Sequence, residues 1–167
     1  LHFAYTRRSA DVIAIETLRV EAGERIFLRG PSGSGKSTLL GLISGILEPR
    51  SGELEILGQS MQTLSSSRRD AFRAAHLGVI FQMFNLLPFL SLTENVLLPC
   101  RFSSVRRAKA DAAPGGAEAE ARRLLAHMGL ADEAARGRSV TELSTGQQQR
   151  VAAARALIGA PPVIIAD

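Results

Sequence analysis

Residues 29–38, RGPSGSGKST, place Gly30, Gly35, Lys36 and Ser37 in the order G-x-x-x-x-G-K-[ST]. Glycines let backbone amides converge where a Cβ would block the approach or the left-handed dihedrals. Pro31, Ser32, Gly33 and Ser34 complete a loop whose amides, with the start of the following helix, face a polyphosphate. In such a loop Lys36 bridges the β- and γ-phosphates, the Ser37 hydroxyl ligates Mg²⁺, and Thr38 bonds the α-phosphate. The expected ligand is a magnesium nucleoside triphosphate. Near the other end of the sequence, the apolar run VIIAD, 163–167, carries Asp167 to the carboxyl edge of a sheet. There it can accept from a magnesium-bound water or orient Ser37.

A second amide-rich turn lies a little over 100 residues further on, in ELSTGQQQRVAAARAL, 142–157. Ser144, Thr145, Gly146 and Gln147 open an Ala-rich helix whose first free amides can take a phosphate. This stretch resembles the signature of the ATP-binding-cassette (ABC) family, usually Leu-Ser-Gly-Gly-Gln. Thr145 stands where the family has its first glycine, and there it can alter backbone freedom or crowd the nucleotide. The resemblance covers nearly the whole chain. It implies that Gln82, at the end of GVIFQ, is the family's lid glutamine, touching Mg²⁺ or the attacking water. It also implies that Tyr5, 25 residues before Gly30, stacks on adenine. The stretch LGVIFQMFNLLPFLSLTENVLLP, 77–99, looks like the lipoprotein-release (LolD-type) and macrolide-export (MacB-type) ATPases.

The family resemblance carries further expectations. ATP and Mg²⁺ are the cofactors. Ser144 binds the γ-phosphate of nucleotide held by a second ATP-binding subunit, so that two ATPs are sandwiched in a head-to-tail homodimer. The partner is an integral-membrane permease, with no nucleic acid expected, and the location is the cytoplasmic face of the inner membrane. The family places a glutamate directly after this aspartate, and a switch histidine further on. A chain without them is expected to bind ATP and hydrolyse it poorly, since such groups contribute ~10²–10⁴-fold in rate. Rival readings are a soluble ABC-superfamily ATPase acting on DNA or ribosomes, a hydrolysis-deficient nucleotide-binding piece, and a phosphate-loop small-molecule kinase.

The elements that must hold these residues follow from periodicity. VIAIETLRV, 12–20, and ERIFLR, 24–29, read as short strands, turned by Glu21-Ala22-Gly23. Leu39, Leu40, Ile43, Ile46 and Leu47 form one helical face, ended by Glu48-Pro49. ELEIL, 53–57, alternates like a strand. SSSRRDAFRAAH reads as a short helix, LGVIF, 77–81, as an apolar strand, and 93–98 as a helical turn opened by Thr93. Residues 103–117 read as a loop or broken helix, and 117–130 and 146–158 as helices. The class is α/β: a phosphate-loop NTPase of RecA-like type, mostly parallel, with an N-terminal antiparallel portion and an inserted helical subdomain. The resemblance also carries the expectation that the family's final strands and helices are missing from it. The expected domains are a nucleotide-binding core, 1–82 and 158–167, and a helical subdomain, 83–157.

Composition fits a globular chain: 46% of the 167 residues are hydrophobic and 22% charged. A lone cysteine, Cys100, excludes an internal disulfide and any cysteine-cluster metal site. Ala74–Thr93 lacks Asp, Glu, Lys and Arg, but Gln82, Asn85 and Pro88 interrupt it. It reads as a strand plus apolar loop rather than a membrane span. The net charge of +4 is mild for nucleic-acid binding. The basic run RFSSVRRAK, 101–109, reads as a solvated face, or as a contact for acidic headgroups or a partner.

Overall fold

The computed structural model describes residues 1–6 and 8–167. They form two compact units, Leu1–Asp70 and Ala71–Asp167.

In the first unit, β1 (His2–Phe3) pairs antiparallel with β2 (Ile13–Ala14), Phe3 opposite Ile13. Helix α1 (Lys36–Ile43) packs Leu42 against Phe3 and Ile13, with Leu1, Ile15, Leu39 and Leu47 around them. β3 (Glu55–Ile56) and β4 (Gln59–Ser60) form a hairpin closed by Leu57 and Gly58, both left-handed, at φ 52° and 78°. Two consecutive left-handed residues are what a tight two-residue hairpin turn requires. Helix α2 (Ser66–His76) starts in this unit.

The N-terminal antiparallel portion is therefore present: β2 and β3 fall inside the expected strands 12–20 and 53–57, while β1 and β4 lie outside any expected strand. No strand is assigned between Ala14 and Glu55. The 12–20 strand shrinks to two residues, and 24–29 is not a strand. Ile26 and Phe27 are 51% and 84% exposed. β-branched and aromatic residues favour a pleated, half-buried surface, but only a neighbouring strand supplies one. Helix α1 also stops at Ile43 rather than at Glu48-Pro49. Gly45, at φ 70°, ends it in the left-handed manner, and Leu47 N–H returns to Gly41 O.

In the second unit, β5 (Leu77–Ile80) runs parallel to β6 (Val163–Ala166), Leu77 opposite Val163 and Ile80 opposite Ala166. Between them come α3 (Leu92–Phe102), α4 (Ser104–Asp111), α5 (Gly116–His127), α6 (Ala131–Ala135) and α7 (Thr145–Leu157). Their apolar faces meet in one core around Leu92, Val96, Ala121, Leu125, Leu130, Val151, Ala154 and Ile158. Cys100 is buried there, 7% exposed, and burial pushes its thiol pKa up. A Cβ on Gly78 would lie 2.3 Å from Ala156 O. The absent side chain is what lets β5 lie directly against the end of α7.

One expectation changes here, and the loop-or-broken-helix reading of 103–117 resolves into a helix that breaks after Asp111. Helix α3 begins a residue before Thr93 and runs on to Phe102. Ser91 caps it through a reciprocal capping box with Glu94, and Pro99 sits inside it. Residues 103–117 hold the regular helix α4, capped by Ser103. The basic run is split by this helix. Arg101, Arg107 and Lys109 face out, but Arg106 is only 2% exposed. Its guanidinium donates to Ile158 O (Nε, 2.8 Å), Ala156 O (Nη2, 2.7 Å), Arg155 O (Nη2, 3.3 Å) and Leu77 O (Nη1, 3.3 Å). It thus satisfies the last carbonyls of α7, where a cation suits the helix dipole. Burial depresses its pKa to about 10. Ala74–Thr93 is the end of a helix, β5, a loop and the start of α3. Among the described residues no helix is long and apolar enough to cross a membrane.

Candidate functional site

The loop 30–35 leads straight into α1. Gly33 and Gly35 are left-handed, at φ 78° and 88°. Gly35 is also sterically committed: a Cβ there would lie 2.8 Å from Ile13 Cδ1 and 3.2 Å from Val12 O. A Cβ on Gly30 would meet Ser34 Oγ at 2.6 Å. Pro31, Ser32, Gly33 and Ser34 are exposed. Lys36, the first residue of α1, folds back over the loop. Its Nζ donates to Gly30 O and Pro31 O, both at 2.8 Å, and to Ser34 Oγ at 3.4 Å. The ammonium is thereby fixed above the loop's own carbonyls, next to the helix N-terminus. Ser37 is exposed at the same end, and Thr38 is buried beneath it.

Tyr5 belongs to the same neighbourhood. Its hydroxyl lies 2.8 Å from Thr38 Oγ1, and its ring stands edge-on to Phe3, with centroids 5.0 Å apart. The residue as a whole is 64% exposed. Residues 30–38 and Tyr5 are thus gathered in the first unit.

The remaining candidates lie in the second unit. Because β5 and β6 are parallel, both end at one edge. Gln82 follows β5 by two residues and Asp167 follows β6 by one. The Asp167 N–H donates to Ile80 O at 3.0 Å, extending the ladder to that edge. Gln82 offers an amide oxygen and Asp167 a carboxylate at that edge, hard oxygen donors of the kind Mg²⁺ takes. Among the described residues no group of three His, Cys, Asp or Glu side chains forms a metal cage.

Ser144 is the N-cap of α7. Its Oγ accepts from Gln147 N at 3.3 Å, and Gln147 Oε1 accepts from Ser144 N at 2.9 Å. Gln147 Nε2 donates on to Glu133 Oε1 at 2.8 Å, tying the cap to α6. The Thr145 and Gly146 amides, at the first turn, have no intrahelical acceptor by geometry. The serine hydroxyl, accepting one bond, still has a proton to donate. Thr145 causes no backbone strain: it is not among the positive-φ residues, and the space beside Gly146 is open.

Sequence reasoning missed two buried polar side chains that hold the loop after Gln82, Asn95 of α3 and Arg155 of α7. The signal available was a polar residue inside an otherwise apolar stripe: Asn95 between Leu92 and Val96, Arg155 between Val151 and Ile158.

A family model described as ABC transporter matches residues 15–167. The lipoprotein-releasing system ATP-binding protein LolD of Syntrophotalea carbinolica is 39% identical over 165 residues, 99% of this chain and 69% of that protein. The macrolide export ATP-binding/permease protein MacB of Rhodopseudomonas palustris is 41% identical over 161 residues, 95% of this chain and 23% of that protein. The chain thus spans about two thirds of one relative and under a quarter of the other. The ATP-binding cassette MJ0796, in a dimeric post-hydrolysis state bound to ADP and Pi, superposes with a TM-score of 0.84 at 34% identity. The match covers 99% of this chain and 69% of that one. The α/β phosphate-loop NTPase class expected from the sequence is the class of this neighbour.

Proposed function

The chain belongs to the ABC transporter family, and on that premise we propose that it is the ATP-binding part of a transporter motor that binds and hydrolyses ATP. The observation that carries the reading is the phosphate loop. Gly33 and Gly35 are left-handed, as a loop that converges its amides needs, and Lys36 Nζ is anchored over it by two carbonyls at 2.8 Å. When a triphosphate enters, Lys36 exchanges neutral carbonyl partners for charged phosphate oxygens, which make stronger bonds. Thr38 takes the α-phosphate and Tyr5 stacks on the base. Ser37, Gln82 and Asp167 hold Mg²⁺, which offsets charge on the transferring phosphoryl group. Gln82 also orients the attacking water.

Ser144, Thr145, Gly146 and Gln147 then bind the γ-phosphate of ATP held by a second copy of the protein. What supports this is the capped turn itself: a hydroxyl proton and two amides without intrahelical partners at the positive end of a 13-residue helix. In this reading 83–157 is a helical subdomain, and 1–82 with 158–167 the nucleotide-binding core. Two copies close on ATP, and the difference in ATP affinity between open and closed dimers performs work on a membrane permease. The similarity to LolD and MacB favours a permease of the lipoprotein-release or macrolide-export kind, with the ATPase at the cytoplasmic face of the membrane.

The test uses the full-length protein and a fluorescent ATP analogue. Lys36→Ala should abolish saturable binding, and wild-type affinity in that variant would sink the proposal. Ser144→Ala should bind nucleotide as the wild type does but fail to dimerise with ATP in sedimentation. Undiminished dimerisation would remove the role given to the second turn.

A further inference from the structure

The connection from β5 to α3, residues 81–91, has no regular structure until Ser91, yet it is tightly held. Phe84 and Asn85 are both left-handed, at φ 57° and 50°. A bulky residue such as phenylalanine rarely adopts that conformation, and it persists only where the surroundings over-determine it. Two buried side chains supply that constraint. Arg155, on α7, donates through Nη1 to Asn85 O at 2.6 Å and through Nη2 to Phe84 O. Asn95, on α3 and 0% exposed, accepts from Leu87 N at 2.8 Å. It donates to Leu87 O at 3.0 Å, and to Leu90 O and Ser91 O at 3.1 Å.

Neither residue is explained by core packing. Leucine or methionine fills such a stripe without the cost of desolvating an amide or a guanidinium. Every bond made by the two side chains to this loop goes to its backbone, so they fix the path of the chain whatever side chains the loop carries. The fixed points begin two residues after Gln82.

We propose that Asn95 and Arg155 are positioning residues for Gln82: by clamping the backbone at 84–85 and 87–91 they hold the glutamine where it meets the nucleotide. Arg155 adds a mechanical link. It sits eleven residues after Ser144 on one helix, about 16 Å along the axis. Movement of α7 when Ser144 engages phosphate pulls on the carbonyls of Phe84 and Asn85. The turn that reads the partner's ATP is thereby joined to the glutamine that serves the chain's own ATP. The inference rests on the proposed role of Gln82 in ATP hydrolysis.

The experiment is a double-mutant cycle in the full-length protein. Asn95→Asp preserves shape but turns a carboxylate oxygen on three carbonyls. Arg155→Lys keeps the charge but cannot fork between two carbonyls. It is the milder change and carries the test if Asn95→Asp does not fold. Each variant is made in the wild-type and Gln82→Ala backgrounds, and nucleotide affinity and kcat are measured separately. With Gln82 present, kcat should fall by ~10–100-fold while nucleotide affinity is unchanged. With Gln82→Ala already in place, neither change should lower kcat further, because the group they position is gone. Penalties that multiply across the two backgrounds would overturn the inference, as would parallel loss of affinity and kcat, which marks a residue needed only for folding. If Gln82→Ala alone leaves kcat unchanged, the assignment of Gln82 fails first, a result distinct from multiplying penalties.

Discussion

Gly35 shows how one atom decides the site. Its φ of 88° is left-handed, and the Cβ it lacks would collide with Ile13 Cδ1. Gly35→Ala should therefore destabilise the protein by about 1–3 kcal/mol in urea unfolding and weaken nucleotide binding, because the loop must shift to admit the methyl. Gly33 is equally left-handed, but no atom lies within 4 Å of the position its Cβ would take. Gly33→Ala should cost only the dihedral strain, the smaller loss of the two. Arg106 makes the opposite point. It is charged, lies in a run that reads as solvated, and yet is buried against carbonyls of α7 and β5. Arg106→Leu leaves those carbonyls without their donor, and denaturant melts should show a loss on the order of 3 kcal/mol. Replacing the exposed neighbour, Arg107→Ala, should change stability by no more than ~1 kcal/mol.

Among the elements, α3 has a start that depends on pH. The Ser91 N–H and hydroxyl both donate to Glu94 Oε2, at 2.9 and 2.8 Å, and these bonds hold the Glu94 carboxyl below its ordinary pKa. A carboxylate with a depressed pKa in the folded state stabilises above its unfolded pKa, and that contribution is lost as pH falls through the folded value. Hydrogen exchange of the first-turn amides of α3, corrected for intrinsic rate, should quicken in acid below the usual glutamate range. Glu94→Gln should flatten that dependence. The elements also show what the sequence could and could not reveal. Helices α2, α5 and α7, and strands β5 and β6, were legible because their signals are local: an apolar period, a cap, a glycine. The phosphate loop was legible for the same reason, its chemistry being contained in nine consecutive residues, Gly30 to Thr38. Residues 24–29 misled because strand formation requires a partner far along the chain. Arg155 and Asn95 stayed hidden because they bind main-chain atoms; Arg155 reaches back 70 residues to Asn85.

For the whole molecule, the proposed function predicts that ATP raises the protein's melting temperature and makes that rise depend on protein concentration. Ligands bound only by the folded, paired state stabilise it by mass action. Scanning calorimetry of the full-length protein at two concentrations should show this for wild type, and Ser144→Ala should keep the ATP shift but lose the concentration dependence. The buried thiol of Cys100 adds a consequence of its own. Thiolate is the form that reacts with alkylating reagents, and both burial and a raised pKa suppress it. As the only sulfhydryl in these 167 residues, it is a silent label while the helices stay packed and a reactive one when they part. The rate at which a maleimide captures it is then a stopwatch for the opening of the helical core, and a probe attached to a cysteine introduced on the surface needs no prior removal of the native one.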